Sequence, residues 1–343
     1  MQSTFYSWFS PSIDAVFLLL PFTLRWRLLL LQSIISLTLV VHRIPYAFYK
    51  SHKILWIPSR DKGRFIRTIV FYPPVSKTTQ PALPRPIHVN WHAGGFVGGI
   101  AETDAKFASR LAKETGAVVL CAEYRLAPRY PFPAAVDDAD DVLAYITAHG
   151  KEQFQTDSNL VTVSGFSAGG NLAYAVSVNA PVKIKAIVTF YASIDLRIPA
   201  ADKKEKNKAK LLKHDPLAFM LPLFDCYASR APEGSQNDPR LHPILAKVET
   251  LPERMLLVVA GIDIIVEDQM TFAKRVKEEL EEVQTVEGAM GREMEVLYLE
   301  NAFHGWLEAP SFILPDERKA ALDMAMTWIK ETHRRYGWEW TAL

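Results

Sequence analysis

Ser167, Asp263 and His304 are the residues of this chain whose types and settings could carry covalent chemistry. A serine hydroxyl is a weak nucleophile until a base takes its proton. An imidazole does this well once a carboxylate fixes its tautomer. Ser167 stands in Gly165-Phe166-Ser167-Ala168-Gly169. Leu160-Val161-Thr162-Val163 precedes it as an apolar, β-branched run that reads as a strand, and Gly170 to Val176 reads as a helix. A Gly-x-Ser-x-Gly turn between strand and helix presents the hydroxyl at a helix N-terminus. Free N–H groups and a partial positive charge there suit a developing oxyanion. Alone, the pattern is moderately specific, because glycine and serine are common in turns.

A second element agrees with it. His92-Ala93-Gly94-Gly95-Phe96 follows Pro86–Trp91, another apparent strand. Without a Cβ, glycines let backbone N–H groups approach a ligand closely. Gly94 and Gly95 would supply two donors, and the N–H of Ala168 a third. A single such donor is worth about 3 kcal/mol of barrier. His92 is expected to hold this loop rather than act as a base.

The acid and base are expected after the serine. Met255–Ala260 reads as a strand ending in Gly261-Ile262-Asp263, and Met294–Leu299 as one ending in Asn301-Ala302-Phe303-His304-Gly305. Both residues sit just past strand C-termini, where a parallel sheet presents its chemistry. Of nine histidines, His304 combines a late position, a strand end and a following glycine. Asp263 is favoured as the acid over Glu267 and Asp268, which lie further into the next helix and could cap it.

These motifs resemble the hormone-sensitive-lipase-like branch of the α/β-hydrolases, which includes arylacetamide deacetylases and many microbial carboxylesterases. His92-Ala93-Gly94-Gly95 is similar to that branch's His-Gly-Gly-Gly oxyanion motif. Glu123-Tyr124-Arg125-Leu126-Ala127-Pro128 and Tyr130-Pro131-Phe132-Pro133-Ala134-Ala135 match its connecting segment. The likeness runs from about residue 65 to 335. It implies an α/β fold with a mostly parallel central sheet, helices on both faces and a helical lid. It also implies a serine esterase; no Gly-x-Gly-x-x-Gly or phosphate loop appears, and no cofactor is expected. Four departures stand out. Ala93 replaces the first of three glycines, Phe166 replaces an acidic or small residue, Arg129 stands where a glutamate is frequent, and Ile264-Ile265 replaces Pro-Leu. Phe96 and Phe166 are expected to line an apolar substrate pocket.

Composition fits one large domain. The 343 residues are 49% hydrophobic with a formal net charge of +1, so nothing favours nucleic acid as a partner. Cys121 and Cys226 are the only cysteines, and no Cys/His spacing reads as a metal site. The first sixty residues are expected to form a helical lid segment before a catalytic domain over residues 61–343. Ala15–Val41 is leucine-rich, yet Pro21, Arg25 and Arg27 interrupt it. Two central arginines would each cost about 3 kcal/mol on insertion. The uninterrupted run from Leu28 gives roughly 21 Å of helix, short of the ~30 Å hydrocarbon core. No cleaved leader is expected, since no basic start precedes an apolar run with a small-residue cleavage site. Packing as part of a lid is the simplest reading, and the absence of a signal favours a cytoplasmic protein. Peripheral membrane contact through Arg25 and Arg27 stays open, as does a homodimer.

Beyond these, Thr68–Tyr72, Ala117–Ala122 and Lys183–Phe190 read as strands. Thr103–Thr115, Ala134–Ala148, Thr271–Leu280 and Lys319–Lys330 read as helices, which gives the alternation of a parallel sheet. Asp137, Asp138, Asp140 and Asp141 are placed on a solvent side, and Gln284–Arg292 in a turn. A lid insertion is expected at about 197–230. It holds the charged run Lys203–Lys210, read as solvated, and a stripe of Phe219, Met220, Leu223, Phe224 and Tyr227 at helical spacing. The expected activity is hydrolysis of carboxylic esters, or amides, of hydrophobic small molecules. An acyltransferase, a non-hydrolytic biosynthetic enzyme and a small-molecule receptor remain alternatives on the same fold.

Overall fold

The computed structural model describes residues 4–48, 52–74, 84–207, 220–287 and 291–341. Within them one sheet contains β1 (Lys53–Pro58), β2 (Phe65–Phe71), β3 (Arg85–Trp91), β4 (Val118–Ala122), β5 (Thr156–Phe166), β6 (Ala186–Phe190), β7 (Arg254–Ile262) and β8 (Glu293–Phe303). Their order is β1-β2-β4-β3-β5-β6-β7-β8. Only the β1–β2 and β2–β4 pairings are antiparallel. β4 and β6 are buried along their whole length, as strands covered on both faces must be.

Two apolar layers flank the sheet. α3 (Ala105–Thr115) and α9 (Pro315–Arg335) pack on one face, where Phe107, Leu111 and Ile329 join the core. On the other face lie α4 (Ala134–Phe154), α5 (Ala168–Val178) and α8 (Val266–Glu287), contributing Leu143, Leu172 and Phe272. Cys121 and Cys226 are free and buried.

The four aspartates of α4 do not sit in open solvent. Asp138 is fully buried between Arg64 and Arg125, whose backbone N–H also donates to it at 2.8 Å. Arg60 reaches Asp137 at 2.7 Å and Asp141 at 2.8 Å, and Arg240 pairs with Asp140. The turn between β1 and β2 brings Arg60 and Arg64 there, a contact across more than seventy residues that local patterning does not reveal.

Two further expectations are corrected. α8 continues to Glu287, so the expected turn over 284–292 begins as helix, and residues 288–290 lie outside the described segments. Lys203, on α6 (Ala200–Asn207), is buried rather than solvated. It donates to the Asp195 carbonyl and pairs with Asp268 at 2.5 Å. The rest of the charged run beyond 207, and Phe219 of the apolar stripe, lie outside the described residues. The stripe forms only the short α7 (Leu221–Phe224), after which turns carry the chain past Tyr227.

α1 (Thr4–Phe17) and α2 (Phe22–Phe48) pack together as a helical hairpin at the N-terminus. Helix ends leave carbonyls without partners. Here the Arg25 guanidinium donates to the carbonyls of Leu18 and Leu20 at 3.2 and 3.0 Å, which fixes the turn between the helices. Arg129 donates to buried Asp14 of α1 at 2.8 Å. The departure at 129 therefore ties this hairpin to the body that carries the sheet. Leu28 and Ile35 face inward from α2, and a Cβ on Gly98 would lie 2.6 Å from Ile35 Cδ1. No helix among the described residues is long and apolar enough to cross a membrane.

Candidate active site

The turns that follow β3, β5, β7 and β8 bring their residues together at the C-terminal end of the parallel strands. Ser167 joins β5 to α5 with φ 50° and ψ −111°, a strained conformation for a residue with a Cβ. Its neighbours make the turn feasible. A Cβ on Gly165 would lie 2.1 Å from the Gly169 carbonyl oxygen, and one on Gly169 would lie 1.9 Å from that of Trp91. The Ser167 N–H donates to the Phe190 carbonyl at 2.9 Å, which locks the turn to β6.

Ser167 Oγ lies 2.8 Å from His304 Nε2, and His304 Nδ1 lies 2.8 Å from Asp263 Oδ2. A neutral imidazole protonated on Nδ1 satisfies both contacts, donating to Asp263 and accepting from Ser167. Asp263 is fully buried, and its second oxygen accepts the Ile265 N–H at 3.1 Å. Asp268 instead takes Lys203, and Glu267 stands in the first turn of α8. Of the three candidate acids, Asp263 is the one placed against His304 Nδ1.

The loop after β3 is shaped by positive φ at Gly94 (130°), Gly95 (59°) and Phe96 (61°). The Gly94 carbonyl accepts from Val97 and Gly98 at 3.0 and 3.1 Å. Among the described residues the N–H groups of Gly94, Gly95 and Ala168 have no acceptor. Phe96 stays in its left-handed conformation because its ring stacks on Tyr227 at 4.0 Å and its carbonyl accepts from Ala127 at 2.8 Å. His92 lies beneath the loop. Burial lowers its pKa to about 4, so it is neutral. Its ring stacks on Tyr124 at 4.4 Å, and Nδ1 lies 2.7 Å from the Ala93 carbonyl. These contacts suit a loop support.

At Gly94 an added Cβ would meet the Gly98 carbonyl oxygen at 2.1 Å. Gly94→Ala is therefore expected to displace the loop and lower kcat for ester hydrolysis by about 10²- to 10³-fold, the scale of one lost oxyanion donor. Steady-state kinetics alongside a thermal melt separates this loss from unfolding.

Two clefts meet at Ser167. The larger encloses about 910 Å³ of empty space, open to solvent, and is walled by Leu31, Ile34 and Ile35 of α2 with Val97, Ile100, Met220 and Leu223. The smaller, about 450 Å³, is walled by Phe96, Leu196, Ile198, Ala200, Ile264 and Ile265. Gly95, Ser167, Phe224 and His304 line both. Phe96 thus lines the smaller cleft. Phe166 does not line either cleft. Its side chain enters the opposite core layer, stacked on Phe190 at 4.4 Å and edge-on to Phe107 at 5.4 Å. The physical reason is strand parity, because consecutive side chains of β5 point to opposite faces.

Sequence reasoning misses Glu308, the one acidic residue among those lining the larger cleft. Tyr191 Oη donates to its carboxylate at 2.9 Å, and burial raises its pKa. Its spacing four residues beyond His304 is the only sequence signal for it. A polar chain also runs under the site. His88 contacts Thr162 and Ser164 at 2.8 and 2.7 Å, Ser164 donates to Asn90 at 2.7 Å, and Asn90 donates to Asp104 at 2.8 Å. Burial, then the nearby Glu308, holds Asp104 well above the usual carboxylate range. Polar residues in the middle of buried strands were its visible signal.

The chain is similar to known proteins. A match to the family described as alpha/beta hydrolase fold covers residues 88–307. The carboxylic ester hydrolase LipN of Mycobacterium tuberculosis is 28% identical over 226 residues, 65% of this chain and 57% of that protein. The gibberellin receptor GID1B of Arabidopsis thaliana is 26% identical over 238 residues, 66% of this chain and 62% of the receptor. The chain thus spans little more than half the length of these relatives. The solved hyperthermophilic esterase of the archaeon Pyrobaculum calidifontis is 25% identical with a TM-score of 0.70, covering 89% of this chain and 93% of that one. With most of its sheet, its serine turn and its histidine inside the matched region, this chain belongs to the alpha/beta hydrolase fold family.

Proposed function

We propose that this protein is a serine hydrolase that cleaves carboxylic esters of hydrophobic small molecules through an acyl-enzyme on Ser167. The observation that carries the reading is the unbroken contact from Ser167 Oγ through His304 to Asp263, each step 2.8 Å, at the junction of two apolar clefts. The substrate carbonyl oxygen docks toward the N–H groups of Gly94, Gly95 and Ala168. His304 Nε2 takes the Ser167 proton as Oγ attacks the carbonyl carbon, and Asp263 stabilises the imidazolium. His304 then returns the proton to the leaving alcohol. Water attacks the acyl-enzyme by the same route and releases the acid. The two clefts receive the two substituents of the scissile carbonyl. α1, α2 and the insertion around α6 and α7 act as the lid.

The likeness to a gibberellin receptor supports a second reading, in which the same clefts hold a ligand without turning it over. A p-nitrophenyl ester series from acetyl to long acyl separates the two. Turnover at rates typical of enzymes, roughly 1 s⁻¹ or more, together with burst release of p-nitrophenol, is the expected result. Absence of turnover across the series by folded protein overturns the hydrolase reading.

A further inference from the structure

The N-terminal hairpin carries a surface that the hydrolytic site does not explain. Among the described residues 16 large apolar side chains are exposed, and 8 of them fall between Val16 and Leu37. Three crowd the turn of the hairpin, where Phe17, Leu19 and Phe22 are 75%, 96% and 79% exposed. Leu30, Ile34 and Leu37 continue the surface along one face of α2, at the four- and three-residue spacing of a helix. An outward face of a surface helix is normally polar; this one is not.

The charge around it is one-sided. No acidic residue occurs between Asp14 and Asp61, while Arg25, Arg27 and Arg43 lie within α2; Arg60, farther along, is taken up by Asp137 and Asp141. Asp14 is buried against Arg129 and so does not offset them. Residues 61–343 carry the opposite balance, 33 basic against 37 acidic. At the edge of the apolar turn the Arg27 guanidinium lies 4.3 Å from the ring centroid of Trp26. Tryptophan and arginine favour the level of lipid headgroups. Arg25 is spent on the turn carbonyls, which makes the apolar tip a fixed shape rather than a loose end.

We propose that the α1–α2 hairpin docks on an anionic lipid surface. It lies in the interface rather than crossing it, with Phe17, Leu19 and Phe22 among the acyl chains and Trp26 and Arg27 at the headgroups. Ile34 belongs both to this outer face and to the wall of the larger cleft. The cleft therefore opens beside the docked face, and a lipophilic ester dissolved in the membrane reaches Ser167 without crossing bulk water. A second copy of the chain fits the surface less well. A two-fold contact sets a patch against itself, which would bring the basic residues of one hairpin onto those of the other.

Co-sedimentation of the full chain with vesicles tests this without relying on turnover, so it stands or falls separately from the proposed chemistry. Vesicles of phosphatidylcholine mixed with phosphatidylserine are expected to bind the chain at least about tenfold more tightly than phosphatidylcholine alone, and high salt should erase the difference. The triple variant Phe17→Ser/Leu19→Ser/Phe22→Ser should lose about tenfold in binding to the mixed vesicles while keeping the wild-type circular dichroism spectrum. If that variant misfolds, Arg27→Gln alone should still reduce the preference for phosphatidylserine. Equal sedimentation with both vesicle types, or undiminished binding by the folded variants, overturns the proposal. So does a wild-type dimer that the triple variant converts to monomer while neither binds vesicles.

Discussion

Ser167→Ala should lower hydrolysis of a short p-nitrophenyl ester by roughly four to six orders of magnitude, the scale on which serine-triad enzymes lose turnover with their nucleophile. Covalent labelling by a fluorophosphonate should vanish with it. The substitution is unusually clean here. Alanine keeps the Cβ that Ser167 already carries at φ 50°, so it neither relieves nor adds to the strain of the turn. The Ser167 N–H bond to Phe190 is a backbone contact and survives. Any rate left above that of water reports on the Gly94, Gly95 and Ala168 donors and on binding in the clefts. Retention of wild-type turnover by the variant would remove Ser167 from the mechanism altogether.

Asp263→Asn is the second large effect, a fall of about 10⁴-fold in kcat near neutral pH. The expectation rests on the tautomer. An asparagine that turns its NH₂ group toward His304 favours a proton on Nε2, so the nitrogen facing Ser167 Oγ can no longer accept. Asp263 is fully buried and also accepts the Ile265 N–H, so the asparagine is held in place. Glu267→Gln provides the contrast. That carboxylate lies in the first turn of α8, where it interacts with the helix terminus, and its loss should change kcat by less than about threefold. Comparable losses in both variants would undo the assignment of the acid.

The site was legible where chemistry demands a local pattern. A strand, two glycines around a serine and a helix can hardly be built otherwise, and Gly165 and Gly169 show why: neither position has room for a Cβ. Asp263 and His304 stood out because each ends an apolar run, and the structure sets both in contact with their neighbours. What stayed hidden depends on long-range contacts or on parity. Phe166 adjoins the serine in sequence, yet alternation along β5 sends it into the opposite core layer. Arg129 reads as an isolated departure until Asp14 is found 115 positions away. Lys203 looks solvated within its charged run, and only the fold brings Asp268 to it. The same holds for β1, a short edge strand with a half-exposed pattern that single-sequence periodicity does not separate from loop.

The Arg129–Asp14 link also has a consequence for biosynthesis. The chain emerges from the ribosome N-terminus first, so α1 and α2 are made long before Arg129, Gly98 and the α7 segment on which they rest. For that interval two apolar helices have no folded body to cover Leu28 and Ile35. Segments in this position are prone to aggregation and are taken up by chaperones. The hairpin is thus synthesised ahead of the residues that cover it and waits for them, which makes nascent-chain handling a step at which changes in this segment will be felt.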